Sequence, residues 1–321
     1  TGIVDVRTFR YADELLEPAG VRREQLPALV APGSIIGGIT EGAAAQTGLP
    51  VGTPVVAGSG DGQSAGLGAA VCRSGLAYLN LGTAVTIGVH ADRYMTGLAY
   101  RSMASPIAGR WTLEAALASG VHSLDWFREH ILGDTSDSAL ARLEAEAAEV
   151  PAGADGLLFL PYLIRAETPH WDPDAKGAWV GLREHHELPH LYRAVLEGIA
   201  YEQLLVLSMI EADTDVRAER VRLMGGGANR ALGVRMIADV FERPVEVTDH
   251  TETTALGAAV LAAAAVGIDA IWDVVATAQR MSQGWRTIEP STRHRDVYRR
   301  RYDAYRELYP ALAGVFARLA D

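Results

Sequence analysis

VRLMGGGANRALGVRMIADVF, residues 221–241, gives this chain its α/β character. A short apolar run, three consecutive glycines and then apolar residues at helical spacing read as a strand, a bare-backbone loop and a helix N-terminus. At such a junction a nucleotide can lie close to backbone N–H groups. A triple glycine is weaker evidence than a Rossmann or P-loop fingerprint, and no GxxxxGK[ST] occurs in the chain.

Two upstream segments give the glycines a context. VAGSGDGQSAGLGAA (56–70) sets Asp61 between Gly60 and Gly62 at the end of an apolar run, where a carboxylate can reach a ligand that bulkier neighbours would exclude. An Asp after a strand also serves as a helix N-cap, and that reading stays open. AYLNLGTAVTIGVH (77–90) is two strand-like runs broken by Gly82 and Thr83, the pattern of a hairpin whose tight turn can aim N–H groups at phosphate. Taken singly, each piece could be an edge hairpin or a close-packing helix; their order along the chain points to a site.

Composition bounds the alternatives. At 321 residues with 49% hydrophobic and 7% aromatic residues, the chain suits closely packed helices on sheets, in two domains or one large one. A net charge of −11 disfavours a nucleic-acid or anionic-membrane surface. Cys72 stands alone, so an internal disulfide is excluded, and it reads as a small apolar core residue. ALGAAVLAAAAVGI (255–268) is too short and weakly apolar for a membrane span and reads as a buried helix approached through Thr251 to Thr254, with Gly257 for close packing. YRRRYDAYRELY (298–309) reads as a solvated basic helix face. Strands are expected at 77–81, 85–90 and 110–114, beginning an antiparallel sheet, and at 244–249; helices at 119–132, 138–150, 188–212 and up to Phe241; a polar loop at 161–181. Two short helices are expected within residues 11–34, and a helix, a turn and the strand that delivers Asp61 within 41–61.

GDGQSAGLG, LNLGTAV, FLPYLIRAETPHWDPDAKGAWVGL (159–182), AVLEGIAYEQLLVL (194–207), MGGGANRALGVRMIADV and TTALGAAVLAA (253–263), with DVRTFRYADELLEPAGV (5–21) ahead of them, together resemble the FGGY carbohydrate kinases, xylulokinase-like members in particular. The resemblance spans essentially the whole chain. It implies an actin-like ATPase (ribonuclease H-like) α/β fold with sugar and ATP in a cleft between domains. Members of that family begin with a DxGTxS turn, absent from this sequence. Residues 1–70 are therefore expected to be the C-terminal part of the N-terminal, sugar-binding domain, most of which is lacking, and 71–321 the complete C-terminal, nucleotide-binding domain.

By the same resemblance Asp61 is the catalytic base and Gln63 a substrate contact or a cap of the next turn. Gly82 and Thr83 lie against the ATP phosphates, Gly120 borders the nucleotide or simply starts a helix, and Gly225, Gly226, Gly227, Ala228 and Asn229 line adenine and ribose. Two departures stand out: Ala84 where the family has Ser, and Arg165-Ala166-Glu167 where it has Gly-Glu-Arg. His170 and Trp171 read as a loop lock ahead of a role in catalysis or sugar stacking, Asp172 and Asp174 as solvated turn acids ahead of a cation site, and His185 and His186 as histidines in a polar turn lacking metal-ligand partners at useful spacing. The implied reaction is D-xylulose with ATP and Mg²⁺, giving D-xylulose 5-phosphate, in a cytoplasmic protein that binds neither nucleic acid nor membrane and can form a homodimer. This stretch alone is expected to be poorly active. Ribulose, glycerol or another polyol as acceptor, and a non-catalytic nucleotide-binding module, are the alternatives.

Overall fold

The computed structural model describes residues 2–250 and 252–320; Thr1, Asp321 and Thr251, the last read above as part of the approach to the alanine-rich helix, lie outside the described residues. Two small antiparallel ribbons open the chain, β1 (Val4–Asp5) with β2 (Arg10–Tyr11) and β3 (Ile35–Gly38) with β4 (Pro54–Val56). Helices α1 (Asp13–Leu16) and α2 (Glu41–Thr47) accompany them. The second short helix expected before residue 34 is only a single tight turn, Arg23–Gln25.

The body is a seven-stranded mixed sheet. Its strands are β5 (Leu76–Leu81), β6 (Val85–Ala91), β7 (Arg101–Ala104), β8 (Trp111–Leu117), β11 (Arg220–Met224), β12 (Val245–Val247) and β13 (Arg286–Ile288), in the spatial order β13-β12-β11-β5-β6-β8-β7. Strands β5, β11 and β12 run parallel; β6, β8, β7 and β13 pair antiparallel. The expected antiparallel start at β5 and β6 is therefore present. A separate ribbon pairs β9 (Leu158–Leu160) with β10 (Ala178–Val180) and closes the polar loop expected at 161–181.

Period-two alternation along β5 divides the core between two faces. Ala77, Leu79 and Leu81 pack with α6 (Leu188–Thr214) and α7 (Ala231–Phe241), whereas Leu76 and Tyr78 face the other way, onto Ala65 of α3 (Asp61–Gly68). Helices α4 (His122–Trp126) and α5 (Asp137–Glu149) support α6, and α10 (Arg295–Arg318) closes that layer. On the opposite face α3 crosses α8 (Thr253–Val266), which in turn meets α9 (Val274–Met281). A Cβ on Gly68 would lie 1.9 Å from the Thr253 carbonyl oxygen, and one on Gly257 1.9 Å from that of Ser64. Only glycine permits this crossing, as anticipated for Gly257. No helix among the described residues is long and apolar enough to cross a membrane.

The basic stretch of α10 is not wholly a solvated face. Its tyrosines turn inward: Tyr298 and Tyr305 are buried, and Tyr305 donates a hydrogen bond to Glu202 Oε2 at 2.6 Å, leaving most of the arginines to solvent.

Candidate active site

Strands β5 and β11 lie side by side and parallel, with Asn80 opposite Met224 at their carboxyl ends. In open α/β sheets such ends are where ligands bind. β5 runs into the Gly82-Thr83 turn, and β11 into the Gly225–Asn229 loop, so the two glycine-bearing segments singled out in the sequence are neighbours in space. Carbonyl oxygens of Gly82 and Thr83 accept hydrogen bonds from the backbone N–H groups of Val121 (3.3 Å) and His122 (3.1 Å), tying the turn to the start of α4.

The three glycines of the loop do different work. Gly225 has φ +81°, and a Cβ there would sit 2.6 Å from Asn80 Oδ1; one on Gly227 would sit 2.7 Å from Leu81 Cβ. Both let the loop lie directly on β5. Gly226 has open space where a side chain would be and is exposed, as is Asn229, while Ala228 is half-buried. Gly120 is a packing glycine: it is buried, and its Cβ would lie 2.6 Å from Val85 N. Asn80 escaped the sequence reading, although a polar residue interrupting LAYLNL is a visible signal.

Asp61 is the first residue of α3 and is exposed, its Oδ1 accepting from the Gly62 N–H at 2.9 Å. Gln63 folds back over Gly60, its Oε1 2.4 Å from where a Gly60 Cβ would be, a posture that suits capping the turn. A Ser59–Ser64 hydroxyl contact of 2.7 Å closes the approach to the helix. Among the described hydrogen bonds none joins Asp61 to the glycine turns; the carboxylate is linked to them through the sheet on which α3 rests.

The TPHWDP segment is a lock. Thr168 Oγ1 both accepts from Ala116 N (2.8 Å) and donates to Ala116 O (3.1 Å), fastening the loop to β8. His170 stacks on Tyr309 with ring centroids 3.7 Å apart, burial lowering its pKa to about 4, and Trp171 Nε1 donates to Leu98 O. Asp172 is more than a solvated acid, since its Oδ2 accepts from Tyr309 at 2.9 Å. Arg165 and Glu167 pair with each other at 2.8 Å, so their altered order is neutralised locally. His185 and His186 do have a partner that spacing alone could not reveal. Asp155, thirty residues upstream, receives His185 Nε2 at 2.8 Å, and one ligating atom from each of the three lies within 4.8 Å of the others. His186 Nδ1, however, accepts from the Arg183 N–H at 3.0 Å. Cys72 is the buried residue expected, its thiol pushed up to about 11 by burial.

Residues 77–266 match the model of the FGGY family of carbohydrate kinases, C-terminal domain, and residues 1–68 match the corresponding N-terminal domain. The expectation that most of the first domain is lacking is thereby amended, because both family domains are represented in the chain. The chain is 29% identical over 293 residues to a gluconokinase of Bacillus subtilis (strain 168), covering 87% of this chain and 57% of that protein. It superposes on the ligand-bound xylulose kinase from Lactobacillus acidophilus with a TM-score of 0.90 at 25% identity, covering all of this chain and 64% of that one. Gluconate kinase from the same organism gives a TM-score of 0.90 at 26% identity over the same shares. The fold is thus that of the actin-like sugar kinases, and the chain spans about three-fifths of the length of these relatives.

Proposed function

Because this chain belongs to the FGGY family of carbohydrate kinases, we propose that it carries the base and the nucleotide cradle of an ATP-dependent sugar kinase. The observation that carries this reading is the neighbouring placement of the Gly82-Thr83 turn and the Gly225–Asn229 loop at the carboxyl ends of parallel β5 and β11. An exposed carboxylate, Asp61, stands on a helix seated on the same sheet. We take 1–70 as part of the sugar-binding domain and 71–321 as the nucleotide-binding domain.

Phosphoryl transfer asks mainly for positioning and charge neutralisation. The acceptor hydroxyl oxygen forms a bond to the γ-phosphorus as the bond from that phosphorus to the β,γ-bridging oxygen breaks. ADP leaves, and the hydroxyl proton passes to Asp61, a role typically worth about a hundredfold to ten-thousandfold. The Gly82-Thr83 turn offers backbone donors to the phosphates, and Ala84 offers no hydroxyl there, which tunes affinity without abolishing it. The open flank of Gly226, with Ala228 and Asn229, receives adenine and ribose. Mg²⁺ fits as an ion carried on ATP, where it would neutralise phosphate charge. The cradle residues supply backbone groups and no carboxylate, so phosphates and water would hold it. Closure between domains would bring Asp61 and the γ-phosphate together and exclude water.

D-Xylulose is our first acceptor, with gluconate the second reading, since a gluconate kinase superposes as closely as a xylulose kinase. We place the enzyme in the cytoplasm, acting on a small sugar and ATP, alone or as a homodimer. A coupled ADP-release assay over D-xylulose, D-gluconate, D-ribulose and glycerol tests the substrate. The highest kcat/KM is expected on D-xylulose; a higher value on gluconate would replace it, and none on any acceptor with ATP still bound would favour a non-catalytic module.

A further inference from the structure

One row of residues crosses the central sheet beneath α3. Tyr78 on β5, Gly88 on β6, Glu114 on β8 and Arg101 on β7 are successive cross-strand partners. Side chains in such a row normally touch their immediate neighbours. Here Gly88 leaves a gap, and the Tyr78 ring fills it: a Cβ on Gly88 would lie 2.3 Å from Tyr78 Cζ. The phenol thereby reaches across β6 and donates to Glu114 Oε2 at 2.6 Å, while Arg101 Nη2 donates to Oε1 at 3.1 Å. Glu114 is 4% exposed, so this carboxyl is desolvated and needs both donors.

Above that pair sits the start of α3. A Cβ on Gly62 would lie 2.7 Å from Glu114 Oε2, and one on Gly66 would lie 3.0 Å from Tyr78 Cε1. Gly62, beside Asp61, and Gly66, one turn further along α3, thus make room for a carboxyl and a phenol underneath the helix. We infer that Glu114 is a positioning residue for Asp61: its buried carboxyl, pinned by Tyr78 and Arg101, seats the first turn of α3 and sets the direction in which Asp61 is presented. Burial pushes the Glu114 carboxyl up, the Tyr78 hydroxyl and Arg101 draw it back, and the charge of Asp61 adds to the upward push. Tyr78 and Arg101 touch the Glu114 carboxyl directly, and Gly62, the residue after Asp61, lies over it.

This inference rests on the kinase reading for its catalytic consequence but not for its structural one, and the test separates them. Tyr78→Phe removes one hydroxyl, and Glu114→Gln keeps shape while mismatching one of the two donors. In the full-length protein both should raise amide hydrogen exchange across residues 60–66 about tenfold or more relative to the rest of the sheet. Both should also lower kcat about tenfold or more with KM for ATP unchanged, the split expected when only the reacting group is misplaced. Gly62→Ala, which adds a Cβ against the same oxygen, should act in the same direction, and combining it with Glu114→Asp, which withdraws the carboxyl, should restore part of the loss. Unchanged exchange in 60–66 overturns the inference whatever the activity, and so does an unchanged kcat where the wild type turns over. Raised exchange in a protein whose wild type phosphorylates no sugar supports the seat and sinks the kinase reading instead.

Discussion

Glu202 is fully buried in α6, and Tyr162 and Tyr305 both donate to its Oε2 at 2.9 and 2.6 Å, leaving Oε1 without a partner. Burial raises its pKa from 4.5 to about 7, against the two tyrosine hydroxyls that lower it. The folded state therefore holds a proton that the unfolded state releases. Stability from this group is complete below pH 4.5 and is lost as pH rises to about 7, on the order of 3 kcal/mol in all. Glu202→Gln cannot lose it, so urea midpoints should show the variant gaining on the wild type from pH 5 to pH 8; parallel curves would contradict this. Single residues were legible where their type forces the backbone, as with Gly257, which the sequence marks for close packing and whose Cβ would meet Ser64 O at 1.9 Å. They were not where the partner comes from afar. Glu114 looks like any strand residue until Tyr78, 36 positions away, crosses Gly88 to meet it. Gly225 and Gly227 read as lining adenine and ribose, and Gly120 as a nucleotide border or a helix start; what the sequence does not reveal is that a side chain on each would also strike Asn80, Leu81 or Val85.

Helices α3 and α8 are held in contact by backbone, which makes their crossing stiff. At Gly257 an added methyl meets Ser64 O at 1.9 Å and Ser64 C at 2.6 Å, atoms that cannot swing aside. Gly257→Ala should destabilise the protein by about 1–3 kcal/mol or more through overpacking, read as a lowered thermal midpoint. It should also depress turnover because α3 carries Asp61. A stable, fully active Gly257→Ala protein would show that the crossing is not tight. Long or strongly patterned elements were evident in advance: β5, β6, α6 and α7 announce themselves by alternation or helical spacing over several turns. β7, β13 and the β9–β10 ribbon span only three or four residues each and owe their conformation to partners supplied elsewhere in the chain. Local propensity carries little signal at that length.

Across the molecule, one mixed sheet brings together strands that start at Leu76 and Arg220 and presents the segments that follow them at neighbouring strand ends. Their order along the chain made the architecture recognisable, while composition suggested only closely packed helices on sheets. The acceptor is the least legible feature, because structures of a xylulose kinase and a gluconate kinase superpose on this chain equally closely. The phosphoryl-transfer reading turns on Asp61, and it is tested most directly by comparing wild type with Asp61→Asn in single preparations assayed for both ATP affinity and sugar-dependent ADP release. Unchanged ATP affinity with turnover reduced about a hundredfold or more is predicted; an Asn variant that turns over at the wild-type rate would show that the base lies elsewhere.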